Sequence, residues 1–219
     1  MFEAVIFDWD GTLADTRQVV VASFQRALSD VHCKISDEFI ERRIGIGVKE
    51  IFREILRVSK IRFDEALIAS LVEKKIQGEI DLSSEVKLFE GAMALLEFLR
   101  GKVKLALASM SNRDVIDYML NAMSLQGFFD VVLTVDEVDN VKPDPEIFLK
   151  CASKLESNPE RCVVVEDSIF GVEAAKTAKM GCIAVLTGAY NREELKKANP
   201  DLIVSSLRDR DEILGFILR

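Results

Sequence analysis

Two aspartates near the start of the chain, Asp8 and Asp10, have a spacing that could place two carboxylates at one site, although an ordinary strand followed by a polar turn fits the same pattern. They follow the apolar run 4–7 and precede Gly11, a pattern that predicts a buried parallel strand ending in a sharp turn. Alternate residues of a strand project to the same side, so both carboxylates are expected at the sheet edge where open α/β folds bind ligands. Two carboxylates held this close repel each other, and hard oxygen ligands suit Mg²⁺. An EF-hand calcium loop does not fit, because its glycine position falls on Leu13.

Polar residues also end three later segments that alternate with helical patterns. These residues are Ser109, Lys142, Glu166 and Asp167. Taken singly, Ser109 fits an ordinary helix cap and Lys142 fits a solvated loop lysine. Because the carboxyl ends of parallel strands open on one edge, we expect all of these side chains to converge with Asp8 and Asp10.

Phosphoryl transfer needs a nucleophile, a proton donor, a metal ion to offset charge, and donors for the phosphoryl oxygens. The converging set contains every part. The ammonium of Lys142 can neutralise both a phosphate and the Asp8 carboxylate. The backbone N–H groups of the turn after Ser109, beginning at Met110, can bind phosphate oxygens without adding charge.

The hydrophobic periodicity predicts two parts of unequal character. Residues 16–84 show helical spacing throughout, interrupted at Gly45 and Gly47, with no strand alternation. From residue 85 onward, strand and helix patterns alternate, which predicts a parallel, doubly wound sheet. We therefore expect an α/β fold in which residues 1–15 and 85–219 form a Rossmann-like catalytic core and residues 16–84 form an inserted, all-helical cap domain.

Composition narrows the class of protein. The chain has 219 residues, 49% hydrophobic and 30% charged, with a net charge of −8, the balance of a soluble globular protein. This charge argues against nucleic acid or an anionic membrane as a partner. The four cysteines form no C-x-x-C pair, and Cys162 and Cys182 lie in apolar strand patterns, which favours buried, reduced thiols. Without a secretory signal pattern, a cytoplasmic location is expected.

The strand-end motifs resemble those of the haloacid dehalogenase-like superfamily of aspartate-nucleophile phosphotransferases, over essentially the whole chain. The matching segments are Asp8-Trp9-Asp10-Gly11-Thr12, Ser109, Lys142-Pro143 and Glu166-Asp167. The run 167–175 is especially similar to the family, and the helical insertion resembles its first cap class. Trp9 departs from the smaller apolar residue common there, and only its backbone is expected to face the phosphate.

The resemblance implies a role for each matching residue. Asp8 would attack phosphorus, and Asp10 would protonate the leaving oxygen. Asp8 and the backbone carbonyl of Asp10 would also bind Mg²⁺, with Asp167 as a direct ligand and Glu166 as its support. The residues implied to hold the phosphoryl oxygens are Ser109 and Lys142.

The leading expectation is a Mg²⁺-dependent phosphatase for a small phosphorylated metabolite, most like phosphoglycolate phosphatases and acting through an aspartyl-phosphate intermediate. A sugar phosphomutase resembling beta-phosphoglucomutase uses the same motifs and stays open, as does a noncatalytic phosphate-binding protein. A dehalogenase needs neither Mg²⁺ nor an acid for a leaving alcohol, so the presence of Asp10, Glu166 and Asp167 argues against it.

The cap segment 42–49 carries bases around its two glycines. Arg43 and Lys49 are expected to contact the part of the substrate beyond the phosphoryl group, because the core motifs hold only that group. An ordinary interhelical turn with solvated bases fits the same segment equally well. The sequence gives no signal for an oligomeric state.

Overall fold

The computed structural model describes all 219 residues and contains a central parallel sheet. The strands are β1 (Ala4–Phe7), β2 (Ala14–Asp15), β3 (Lys87–Leu88), β4 (Lys104–Ala108), β5 (Val131–Leu133), β6 (Cys162–Glu166), β7 (Gly181–Val185) and β8 (Leu202–Val204). Six of them form the sheet in the order β5-β4-β1-β6-β7-β8, and β2 pairs with β3 in a separate antiparallel pair. The predicted α/β fold is confirmed.

Ten α-helices accompany these strands. They are α1 (Arg17–Ser29), α2 (Asp37–Glu41), α3 (Val48–Val58), α4 (Glu65–Asp81), α5 (Ala92–Leu99), α6 (Arg113–Ala122), α7 (Glu146–Lys154), α8 (Ile169–Thr177), α9 (Arg192–Lys197) and α10 (Arg210–Ile217). Apolar residues of α5, α6 and α10 pack on one face of the sheet, and those of α7, α8 and α9 pack on the other. The sheet is therefore covered on both faces, as a doubly wound topology requires.

The central strand β1 shows why its sequence is a continuous apolar run. Val5 and Phe7 pack into the core on one face, while Ala4 and Ile6 pack into the core on the other. Period-two alternation thus buries every residue of the strand. Because β4 and β6 pair with β1 on either side, the carboxyl ends of these three strands lie next to one another.

Helices α1 to α4 bury an apolar cluster of their own, in which the rings of Phe24 and Phe52 lie 4.7 Å apart. Helix α1 packs along α4, and Gly78 permits the close approach, since a Cβ there would lie 3.2 Å from Ser23 Oγ. A separate core agrees with a helical cap, and we propose residues 16–84 as its extent. The β2–β3 pair lies where the chain passes between the two parts, and sequence periodicity missed it because two residues show no alternation.

One strand is shorter than its sequence predicts. The apolar run 131–135 predicts five strand residues, but β5 ends at Leu133. Thr134 instead starts a short 3₁₀ turn closed by a capping box, in which its N–H and its hydroxyl both donate to Glu137 Oε2. The local cap thus outweighs the strand propensity of Val135.

None of the helices combines the length and apolar composition required to cross a membrane. All four cysteines are free and buried, which confirms their predicted burial, while their reduced state stays a prediction.

Candidate active site

The centre of the site is a buried lysine between two carboxylates. Lys142 Nζ lies 2.6 Å from Asp8 Oδ1 and 2.7 Å from Glu166 Oε1, and all three side chains are almost completely buried. Burial alone would lower the pKa of Lys142, but the carboxylates of Asp8 and Glu166 outweigh it and raise that pKa. The lysine is thus held as a cation at the end of β1.

Asp167 joins Asp8 and Glu166 in a buried cluster whose carboxylate oxygens lie within 4.8 Å of one another. Burial raises the pKa of Asp8, and Lys142 opposes this shift. Burial also raises the pKa of Asp167, and the charges of Glu166 and Asp8 add to the effect. Three carboxylates therefore share one ammonium, an excess of negative charge that a divalent cation bound by oxygen ligands would neutralise.

The two oxygens of Glu166 are both committed to protein donors. Oε1 accepts from Lys142, while Oε2 accepts from the backbone N–H groups of Asp167 and Ser168 and from the Ser168 hydroxyl. Ser168 is the N-cap of α8, so Glu166 also lies at the positive end of that helix. Any Cβ at Gly171 would overlap the Glu166 carboxylate, so the helix can approach only through a glycine. This arrangement suits a carboxylate that supports the cluster rather than one that reacts.

Asp167 is oriented on one side and open on the other. The Thr12 hydroxyl donates to its Oδ1 at 3.0 Å, whereas its Oδ2 accepts no hydrogen bond from the protein. Gly11, with a φ of +80°, and Gly188 both approach so closely that a Cβ on either would overlap this carboxylate. A small cavity lies beside Asp167 and both glycines. The free oxygen is therefore accessible to an ion or a small ligand.

Asp10 is held by hydroxyl groups. Thr16 donates to its Oδ1 at 2.8 Å, and Ser111 and Ser109 donate to its Oδ2 at 2.8 Å and 3.3 Å. A hydroxyl can donate or accept, so these groups can support both the ionised and the protonated carboxyl. Thr16 is the residue that precedes α1, so the entry to the helical part contacts Asp10 directly. Such a setting suits a proton donor and acceptor.

A small cavity separates Asp10 from the helical part above it. The core contributes Asp10, Met110 and Ser111 to its walls, and Lys75 of α4 is the only basic residue among the lining side chains. The cap contacts the core beside this cavity, at Gly45 and Ser168. A Cβ at Gly45 would lie only 3.2 Å from Ser168 Oγ.

A second contact between the two parts involves Arg42. Its guanidinium lies 2.7 Å from Glu194 Oε1 and 4.9 Å from the ring centroid of Tyr190. The Tyr190 hydroxyl also donates to the backbone carbonyl of Arg42. These contacts hold the cap against the loop that follows β7 and against the start of α9.

The structure brings together all the core residues predicted to form the site but places the two predicted cap residues elsewhere. Arg43 lies 2.6 Å from Glu54 Oε1 and stacks 3.4 Å above the ring centroid of Phe39. Lys49 lines a different cavity together with Asp136. Neither residue lines the cavity beside Asp10. A substrate contact by Arg43 or Lys49 stays a prediction.

Sequence reasoning missed three residues at the site. Thr16 and Ser111 contact Asp10 through their hydroxyls, and Lys75 faces the cavity above it. The burial of Lys75 could have been predicted, because helical spacing places it on the same face of the helix as the buried residues Ile68 and Leu71. A lysine on the apolar stripe of a helix is unusual, since lysine is almost never fully buried without a partner.

Comparisons with known proteins bear on the chemistry of this site. The family model described as haloacid dehalogenase-like hydrolase matches residues 5–185. A phosphorylated carbohydrates phosphatase of Thermotoga maritima is 35% identical over 181 residues, which cover 80% of this chain and 81% of that protein.

Two solved structures resemble the fold closely. The beta-phosphoglucomutase of Clostridium difficile is 28% identical with a TM-score of 0.86, and the match covers 100% of both chains. The CbbY protein of Rhodobacter sphaeroides, solved in complex with phosphate, is also 28% identical, with a TM-score of 0.85 over 98% of this chain and 97% of that one.

Proposed function

Since the chain belongs to the haloacid dehalogenase-like hydrolase family, we propose that it hydrolyses a small phosphorylated metabolite through phosphorylation of Asp8, with Mg²⁺ as cofactor. The protein is an enzyme of the phosphatase type, which acts on phosphate esters. The observation that carries the proposal is the buried contact between Asp8 and Lys142 beside two further carboxylates. The name of the T. maritima relative and the phosphate bound to CbbY support a phosphate ester as the substrate.

The donor set fits Mg²⁺. Asp167 has an oxygen without a protein donor, and Asp8 Oδ2 likewise accepts no hydrogen bond from the protein. These two oxygens and the backbone carbonyl of Asp10 would hold the ion, while the committed oxygens of Glu166 position Asp167. When bound, Mg²⁺ neutralises charge on the phosphoryl group and on the nucleophile.

In the first step, a carboxylate oxygen of Asp8 forms a bond to phosphorus while the bond from phosphorus to the ester oxygen breaks. The Asp10 carboxyl gives its proton to the leaving oxygen, so that a neutral alcohol departs. Lys142 and the backbone N–H of Met110 offset the charge that develops on the phosphoryl oxygens. The Ser109 hydroxyl, which lies beside Asp10, can donate to the same oxygens once it rotates.

In the second step, the Asp10 carboxylate takes a proton from water, and the water oxygen attacks phosphorus. The bond to Asp8 breaks, which releases inorganic phosphate and restores both aspartates. The hydroxyls of Thr16 and Ser111 hold Asp10 in one place through this change of protonation state.

A phosphomutase is the second candidate, favoured by the match of the C. difficile beta-phosphoglucomutase along the whole chain. It would use the same phosphorylated Asp8 but transfer the phosphoryl group to a second hydroxyl of the sugar instead of to water. The two reactions differ in the acceptor, so inorganic phosphate is the product that separates them.

The experiment measures phosphate release from a panel of phosphorylated metabolites, with and without Mg²⁺, for the wild type and for Asp8→Asn. The variant keeps the size of the side chain but removes the attacking oxygen, so turnover should fall by about 10³-fold or more. Acid-quenched wild-type protein should carry a phosphoryl adduct by mass spectrometry, and Asp8→Asn should not. Asp114→Asn, an exposed aspartate on α6, is the control. Mg²⁺-dependent turnover by Asp8→Asn would contradict the assignment.

A further inference from the structure

The loop between β7 and α9, residues 186–191, packs against the free oxygen of Asp167. A Cβ at Gly188 would overlap Asp167 Oδ2, so the backbone of this β7–α9 loop lies directly against the oxygen that accepts no hydrogen bond from the protein. Gly11 approaches the same carboxylate. The orientation of the Asp167 carboxylate therefore depends on where the β7–α9 loop lies.

The residue before Gly188 ties the loop to the turn that contains Gly11. The Thr187 hydroxyl donates to the carbonyl of Gly11 at 2.6 Å. Arg17, the first residue of α1, donates from Nη2 to the carbonyl of Thr187 at 3.4 Å. One side of the loop is thus anchored to the segment that carries the predicted nucleophile.

The other side of the loop is anchored to the cap through Tyr190. This residue is only 6% exposed, and its hydroxyl donates to the backbone carbonyl of Arg42. The Arg42 guanidinium lies over the ring and pairs with Glu194, while the Phe170 ring contacts Tyr190 edge-on, with the centroids 6.4 Å apart. Because Tyr190 is two residues from Gly188 along the chain, a displacement of Tyr190 also shifts the backbone beside the Asp167 carboxylate.

The contact between the loop and the cap must break and re-form during turnover. Asp8 and Asp10 are almost completely buried, so a substrate reaches them only when the cap moves away. The small cavity beside Asp167 has walls from the β7–α9 loop and from the cap, with Glu41 and Ile44 on the cap side. Movement of the cap therefore changes the surroundings of the free carboxylate oxygen.

We propose that the β7–α9 loop couples docking of the cap to binding of Mg²⁺, with Thr187 and Tyr190 as positioning residues for Asp167. While the cap is docked, Arg42 holds Tyr190, and the loop keeps the Asp167 carboxylate in its observed orientation. When the cap moves away, the loop loses this anchor and the affinity for Mg²⁺ falls. Coupling between two equilibria is reciprocal, so Mg²⁺ stabilises the docked cap by the same factor. The inference rests on the proposed Mg²⁺ site and adds a link between the ion and the position of the cap.

Calorimetric titration with MgCl₂ tests the anchor at Tyr190. Tyr190→Phe keeps the ring against Phe170 but removes the hydroxyl that donates to Arg42. Its Kd for Mg²⁺ should rise about 3-fold to 10-fold, the effect of one lost hydrogen bond. Tyr118→Phe, at the other tyrosine of the chain, is the control because Tyr118 is 46% exposed on α6. Equal Kd values for the two variants would overturn the proposal.

A change confined to the cap separates the coupling from a local effect on the loop. Arg42→Met removes the pair with Glu194 and the contact with the Tyr190 ring but alters no residue of the loop. The Kd for Mg²⁺ should rise about 2-fold to 5-fold, because the lost pair is partly exposed. Arg43→Met is the matched control, since Arg43 pairs with Glu54 inside the cap. A Kd for Arg42→Met no higher than that for Arg43→Met would contradict the coupling.

Reciprocity is measured at the cap, by hydrogen exchange of residues 42–47 followed by mass spectrometry. Saturating Mg²⁺ should slow the exchange of this segment in the wild type, although none of its residues is a predicted ligand of the ion. The slowing should be smaller in Arg42→Met than in Arg43→Met. A merely structural role for Arg42 gives no response of the cap to Mg²⁺, so exchange at 42–47 that is the same with and without Mg²⁺ in the wild type overturns the proposal.

Failure of the proposed function gives a different result. A wild type that binds Mg²⁺ but releases no phosphate from any ester contradicts the phosphatase assignment, while the titrations still decide the coupling. A wild type that binds no Mg²⁺ contradicts the proposed cofactor and, with it, the coupling. Binding by the wild type, with equal Kd values for Tyr190→Phe and Tyr118→Phe, contradicts the coupling alone.

Discussion

Replacing Lys142 by methionine tests whether one buried ammonium holds the acidic cluster together. Lys142 is fully buried and contacts Asp8 and Glu166, so Lys142→Met removes the only cation within hydrogen-bonding distance of these carboxylates. Breaking a buried ion pair by deleting one partner costs about 3–5 kcal/mol of the free energy of unfolding. With about 2–4 °C per kcal/mol for a protein of this size, the Tm should fall by about 6–20 °C.

A matched control is available on helix α7, which follows the loop of Lys142. Lys150 also pairs with a carboxylate, that of Glu146, but its side chain is 41% exposed. An exposed pair contributes little, because water and salt screen the charges. Lys150→Met should therefore leave the Tm almost unchanged. Thermal unfolding followed by circular dichroism, without added metal, compares the two variants directly.

The fall in Tm caused by Lys142→Met should depend on pH, and the raised pKa values of the neighbouring carboxyl groups decide in which direction. Burial raises the pKa of Asp8 and of Asp167, so the folded state holds more protons than the unfolded chain above the ordinary carboxyl range. Stability contributed by these groups therefore falls as pH rises through the raised pKa values. Removing Lys142 raises them further, so the Tm difference from the wild type should be larger at pH 8 than at pH 5.

Charge compensation provides two further checks on the same variant. Saturating Mg²⁺ should recover part of the lost Tm, because a bound cation neutralises the same carboxylates. Adding Asp8→Asn to Lys142→Met should also recover part of it, since one unpaired charge is removed. Equal Tm values for Lys142→Met and Lys150→Met, or a loss independent of pH, would refute the electrostatic account.

Three further predictions concern separate parts of the site and the core. Asp10→Asn should slow hydrolysis of alkyl phosphates more than of activated aryl phosphates, which need little protonation of the leaving group, and equal losses in kcat would contradict the acid role. Gly188→Ala should weaken Mg²⁺ binding in calorimetric titrations, because the new Cβ would overlap the Asp167 carboxylate. Gly215→Ala, whose Cβ would lie in open space, is the control, and equal Kd values for the two variants would contradict the prediction. Burial raises the pKa of the Cys151 thiol to about 12, so a reagent that reacts with thiolates should label it at pH 8 only after unfolding. Rapid labelling of the native protein would contradict the burial of Cys151.

Local patterns in the sequence determined the fold class and the core of the site. An apolar run that ends in Asp8 and Asp10 predicts a buried strand, and alternating strands and helices predict a parallel sheet. Parallel strands present all their carboxyl ends at one edge, so Lys142 and Asp167 could be placed with Asp8 without knowledge of any contact. The observed pairing of β1 with β4 and β6 confirms the arrangement behind this reasoning.

Tertiary structure alone decided how the helical part meets the core. Periodicity shows that α4 has a buried stripe but not that Lys75 on this stripe faces Asp10. It shows bases near the cap glycines but not that Arg43 is bound by Glu54. Contacts between residues far apart in sequence depend on the relative orientation of two packed bodies, which local spacing does not encode. The sequence therefore predicted the phosphoryl-transfer chemistry, and the three-dimensional packing decided which side chains of the helical part lie beside Asp10.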